Sequence, residues 1–321
     1  MCSCVGVSFH TAYSVQQVLF SLFNSLHGSP AHKYNTKYEV IKEYQVELPH
    51  QRRVAIVDFP SIASESIDDQ IKAIKAAVQY LASQCAFPFK FLSLSSQSQN
   101  RHAAQRRAIA AIVCRDISKA ILTADDVLNI KYAKDLIGPG FYSHTTVLTI
   151  GWEGGSYLAA PPTSLASHTP ATHGFSQREA ELKRRPEIAD ILQGQGQVKR
   201  FGVFAADDRT RNVVDVHEPL SLVEDIWKNA ASAGNLLVQD EFCVEKKSLD
   251  MTKVGAALDQ RISKKIEETE EECREMDEEM SRDLPPEQMT EIMDEINQLE
   301  AQIKSWSTWS AGVFKPPRVQ T

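Results

Sequence analysis

The chain lacks the short motifs that announce a chemistry at sight. Nowhere in its 321 residues does GxxxxGK[ST] occur, so the lysine-bearing phosphate loop is excluded. No apolar run approaches the roughly 20 residues that a membrane-crossing helix needs. The opening "MCSCVGVSFHTAYSVQQVLFSLF" has no basic leader and no clear small-residue cleavage site, so no secretory signal and no membrane partner are expected. Six cysteines are scattered at positions 2, 4, 85, 114, 243 and 273, without zinc or disulfide spacing. That pattern predicts free thiols, a cytoplasmic setting and no metal. Aromatic residues do not interleave with the arginines, which argues against a base-stacking platform for single strands.

Charge is present but uneven. Residues 250–300 hold 17 Asp and Glu against 6 Lys and Arg, a net of −11 in a chain of −7, which leaves +4 for the rest. A mildly basic body thus carries one acidic segment.

Four regions are expected. Residues 1–150 read as a mixed α/β region and residues 151–174 as a flexible Pro/Ser/Thr/Gly-rich loop. Residues 175–249 read as helices with a β-hairpin, and residues 250–321 as an acidic heptad arm with a tail. The fold class is a mixed α/β (α+β) body with a C-terminal acidic helical hairpin or short coiled-coil arm. In that arm Ile262, Ile266, Thr269, Cys273, Met276 and Met280 step by fours and threes. After Pro285-Pro286 the pattern resumes at Met289, Ile292, Ile296, Leu299, Ile303 and Trp306. Each seam is too short to stand alone, so it must dock on the body, on the other seam or on a second copy. The seam residues are therefore the candidates for homo-oligomerisation.

The stretch "QNRHAAQRRAIAAI", residues 99–112, carries the functional expectation. Ile109, Ile112, Val113, Ile117, Ala120 and Ile121 fall at helical spacing, predicting a helix to about Leu122. On it Arg101, Arg115 and Lys119 align beside the apolar stripe, with Arg106 and Arg107 near the start. Cations in a first turn oppose the helix dipole, so another role is sought for them. Together with Arg52, Arg53, Lys183, Arg184, Arg185 and the pair Lys199-Arg200, they predict a strip that contacts RNA through its phosphates.

Catalytic and metal-ligating sets are thin. "DVHE" at 215–218 places Asp215 and His217 on one strand face and Glu218 on the other, too few for a metal. His168 and His173 straddle a proline, and "GQGQ" at 194–197 follows a helix and opens none. No cofactor and no catalytic residue is assigned. The function expected is a non-catalytic, self-assembling RNA-binding scaffold, by architectural analogy a viral nonstructural or nucleoprotein-type component. The alternatives are an α/β enzyme using the Asp207/Asp215/His217 region, and a cytosolic adaptor binding partners through the arm.

Overall fold

The computed structural model describes residues 5–9, 41–48, 52–59, 62–63, 66–84, 108–117, 122–152, 172–201, 219–228, 232–282 and 284–309. These form one six-stranded sheet of β1 (Val5–Phe9), β2 (Lys42–Leu48), β3 (Arg52–Phe59), β4 (Ala108–Asp116), β5 (Thr145–Ile150) and β6 (Gln197–Arg200). Its order is β2-β3-β1-β4-β5-β6. β2 runs antiparallel to β3, and all other neighbours are parallel. The longer helices are α1 (Ile67–Gln84), α2 (Ala124–Ile137), α3 (Thr172–Arg184), α4 (Pro186–Gln193), α5 (Pro219–Lys228), α6 (Lys253–Met280) and α7 (Pro286–Ser307).

A parallel sheet needs cover on both faces. On one, Val57 and Phe59 of β3, Val113 of β4 and Val147 of β5 join the main core with α1, α2 and α4. The alternating residues Ile56, Ile112, Cys114, Leu148 and Ile150 face the other way, against Leu222 and Val223 of α5.

One expectation fails here. The segment predicted as a helix to Leu122 contains β4, and every residue from Ala108 to Asp116 is buried. A central strand covered on both faces reads as an unbroken apolar run, and "AIAAIVC" satisfies helical spacing as well as strand burial. Pairing with β1 and β5 decides between them. The β-branched and aromatic stretch "FYSHTTVLTIGW", which reads in sequence as one strand, is divided: Pro139–His144 form a 3-10 turn and β5 begins at Thr145. Of the predicted hairpin at 197–218, β6 and Phe201 are described, and β6 pairs in parallel with β5. The remainder of that hairpin lies outside the described residues, as does most of the 151–174 loop.

Local signals set α2 in place. Thr123 caps it, accepting from Asp126 N at 3.1 Å while Asp126 Oδ2 accepts from Thr123 N at 3.0 Å. Gly138 ends it at φ +77°, and a Cβ there would come within 2.3 Å of Leu237.

The C-terminal acidic segment is a helical hairpin. Thr252 caps α6 through Gly255 N at 3.1 Å, and Pro286 occupies the first turn of α7. Ile262, Thr269, Ile296 and Trp306 are buried, and Ile266, Met276, Met280, Ile292, Leu299 and Ile303 are half-buried. The heptad face is thus where α6 and α7 pack on each other. Its root joins the body: Leu258, Ile262, Trp306 and Trp309 belong to the main core. Trp306 Nε1 donates to Asp68 Oδ1 of α1 at 3.3 Å, and Lys75 of α1 lies 4.9 Å from the Trp309 ring centre. No helix among the described residues is long and apolar enough to cross a membrane.

Candidate functional site at the carboxyl edge of the sheet

The sheet order creates a topological switch point at β1. The chain passes from β1 to β2 and β3 on one side, then crosses to β4, β5 and β6 on the other. In open doubly wound sheets, ligands sit outside the carboxyl ends of the strands at such a point.

The strand ends are stepped there. Phe9, the last residue of β1, stands opposite Phe59, which ends β3, and opposite Val113 of β4. β4 continues through Cys114, Arg115 and Asp116 alongside β5. At 3.3 Å per residue β4 runs about 10 Å beyond the level of the last described residues of β1 and β3. Asp58 and Asp116 stand at this edge, 3% and 5% exposed. Strand alternation sends both to the α5 side of the sheet, since Ile56 and Cys114 face that way.

Three supports shape this edge. Asn129 Oδ1 of α2 accepts from Ile62 N and Ala63 N, both at 2.8 Å, tying down the chain that leaves β3 for α1. Arg115 Nη1 donates to Asp126 Oδ2 at 2.6 Å, with side chains 4% and 3% exposed. The same Asp126 oxygen thus completes the α2 cap and holds the end of β4. The third support fills the ends of β5 and β6. Trp152 donates to Thr149 O at 3.1 Å and meets Phe175 edge-on at 6.0 Å. Arg200 lies 4.7 Å from the Trp152 ring centre and grips the buried Glu179 at 2.6 and 3.1 Å. Arg178 donates to Ile117 O at 3.2 Å. This corner is packed by aromatic rings and by the Arg200–Glu179 ion pair.

A cleft of about 610 Å³ opens at the opposite, amino edge, lined by Lys131, Lys134, Tyr142, Asp190 and Lys253 among others. Its carboxylates face lysines: Lys134 to Asp190 at 2.5 Å and Lys253 to Asp135 at 3.1 Å. Burial, then the Asp190 and Asp135 charges, push the Tyr142 hydroxyl up to about 12. Among the described residues, no three His, Cys, Asp or Glu side chains cluster as a metal centre.

The cations expected to line one strip are dispersed. Arg52 and Arg53 begin β3 at the amino edge, whereas Arg115 is buried at the carboxyl edge. Lys183, Arg184 and Arg185 are exposed where α3 meets α4, with Lys183 3.6 Å from Glu179. Arg101, Arg106, Arg107 and Lys119 lie outside the described residues, as do Asp207, Asp215 and His217. Asp58, Asp116 and Asn129 escaped the sequence reading. The signal available was Asp58 near the end of the β-branched run "RRVAIVDF", two residues before Pro60.

No family model and no curated protein sequence matches the chain. Among solved structures it is similar to Toc33 from Arabidopsis thaliana in complex with Mg2+ and GMPPNP. That likeness has 14% identity over 72% of this chain and 85% of that one, with a TM-score of 0.46. It is also similar to Era from Aquifex aeolicus bound to GDP and aluminium fluoride, at 13% identity, 75% and 61% coverage and a TM-score of 0.39. The cytosolic domain of the FeoB iron transporter from T. maritima, in apo form, gives 13% identity, 95% and 98% coverage and a TM-score of 0.38. Two further Toc33 structures concern its dimerization, one linking it to GTPase activity.

The expectation of an RNA-binding scaffold of the viral nonstructural type is corrected by these findings. It rested on a helix presenting an arginine strip; that segment holds a buried strand, and its Arg115 is spent on Asp126. Among the similar solved structures, those of Toc33 and Era hold GMPPNP or GDP.

Proposed function

We propose that this protein binds a magnesium nucleoside di- or triphosphate at the carboxyl ends of β1, β3 and β4. The observation that carries this reading is the strand order, which puts a switch point at β1. The chemistry of the edge agrees. Magnesium is held by one or two carboxylates, with phosphate and water oxygens completing its shell; Asp58, beside β1, is the carboxylate assigned to it, whereas Asp116 lies four register steps farther along β4.

The segment that follows β1 in sequence, His10-Thr11-Ala12-Tyr13-Ser14, contains neither lysine nor glycine. Phosphate contacts there fall to backbone N–H groups and to the hydroxyls of Thr11 and Ser14. Without an ammonium to meet charge developing on a transferred phosphoryl group, the activity proposed is binding with little turnover.

Thermal denaturation tests this. A ligand that binds only the native state at about 100 times its Kd adds about 2.7 kcal/mol of stability. The melting temperature should therefore climb steadily with MgGDP, MgGTP or MgATP, and less without magnesium. A flat response to all three overturns the reading.

Self-association is part of the same proposal, in a restricted form. The seam residues Ile262, Ile266, Met276, Met280, Ile292, Ile296, Leu299, Ile303 and Trp306 already serve the packing of α6, α7 and the body. A dimer through them requires exchange of the hairpin between copies. Light scattering of the full chain and of a variant with a shortened 281–285 turn distinguishes such exchange from a monomer.

A further inference from the structure

Four large hydrophobic side chains are exposed among the described residues: Val244, Met251, Met289 and Met293. Met289 and Met293, 37% and 53% exposed, are one helical turn apart on α7 and share a face. They sit near its start, while the half-buried Met276 and Met280 lie in the last turns of α6. Four of the six methionines in the chain thus gather at the free end of the hairpin, away from the Trp306 and Trp309 root. Half-buried Leu284 and Ile292 extend the apolar surface there. Methionine is unbranched and polarizable, which suits a surface that reshapes around an incoming apolar face.

The surroundings select the occupant. Residues 270–295 contain twelve Asp and Glu against two arginines, and Arg274 is engaged by Glu271. A second copy of the tip would bring the same carboxylates into opposition, and nucleic acid or an anionic membrane would be repelled likewise. A helix with one apolar face and flanking lysines or arginines satisfies both the methionines and the rim. We propose that the tip of the α6–α7 hairpin is a docking surface for a cationic amphipathic helix of another protein.

Fluorescence anisotropy on the full chain tests this, with a labelled 14-residue helical peptide of leucine and lysine as probe. A matching peptide of leucine and glutamate is the control. The Leu/Lys peptide should bind saturably at physiological salt and the Leu/Glu peptide should not. The double variant M289S/M293S keeps every charge and alters only exposed side chains, so circular dichroism should be unchanged. Its affinity for the Leu/Lys peptide should nevertheless fall at least tenfold. Equal binding to this variant would mean bulk attraction to an acidic protein, and absence of binding to the wild type would leave no site; either result overturns the proposal. So would a doubled mass of the peptide-free protein in light scattering that M289S/M293S abolishes, since the occupant would then be a second copy. Sedimentation with zwitterionic vesicles, abolished by the same variant, would assign the surface to lipid and overturn it as well.

Discussion

Arg115, on the last turnward stretch of β4, and Asp126, in the first turn of α2, form an ion pair 2.6 Å long with both side chains almost wholly buried. Removing one partner leaves a charge in the interior. Asp126→Ala should cost about 3–5 kcal/mol in denaturant unfolding, because the guanidinium loses its counter-ion and α2 its cap. The double change R115M/D126L, which buries no charge, should recover much of that loss. A single variant within 1 kcal/mol of wild type would mean, by the same scale, that the pair is solvated.

Asn129 joins α2 to the chain that leaves β3. Its one oxygen accepts both Ile62 N and Ala63 N. Asn129→Ala leaves two buried donors without this acceptor, at about 1–3 kcal/mol each. Amide exchange at Ile62 and Ala63 should accelerate more than at the centre of β3, and nucleotide affinity should drop with it. Uniform exchange across β3 would show the loop is held by other means.

The fold is legible where one element answers one period. α2 is bounded by Thr123 and Gly138, both readable as cap signals, and the hairpin seam shows its heptads because one face of each helix is wet. β4 is illegible for the opposite reason. Both its faces are buried, so alternation vanishes, and the residues that decide its state are on β1 and β5, far away in sequence. The candidate edge shares that fate. Asp58 and Asp116 are 58 residues apart in sequence and come to the same edge, on strands with β1 between them, only through strand order, which no local spacing encodes.

Asp225 on α5 sets an acid limit. Hydrogen bonds from Lys199 at 2.8 Å and Lys228 at 3.0 Å hold its carboxyl at about 2, below the usual 3.8. A lowered carboxyl contributes stability above its unfolded value and loses it as pH falls toward the folded one, so the window runs from about 4 to about 2. The side chain is a third exposed, and screening reduces the contribution to about 1 kcal/mol. In Asp225→Asn, acid unfolding followed by tryptophan fluorescence should lose the part of its pH dependence that falls in this window. An unaltered acid profile would contradict the assignment.

Trp306 anchors the hairpin to α1. Trp306→Ala should cost about 3–5 kcal/mol and make the segment after residue 280 sensitive to limited proteolysis. The body should keep its sheet signal by circular dichroism. Protection equal to wild type would mean that Leu258 and Ile262 suffice to hold the root.

Isothermal titration calorimetry with MgGDP, MgGTP and MgATP, on wild type and Asp58→Asn, tests the central claim most directly. The account predicts one site per chain for at least one nucleotide. It also predicts that Asp58→Asn, a near-isosteric loss of a single charge, weakens binding in magnesium and leaves the weaker binding in EDTA unchanged. Heat-silent titrations with all three nucleotides, or an Asp58→Asn affinity equal to wild type in magnesium, would contradict a nucleotide site at this edge of the sheet.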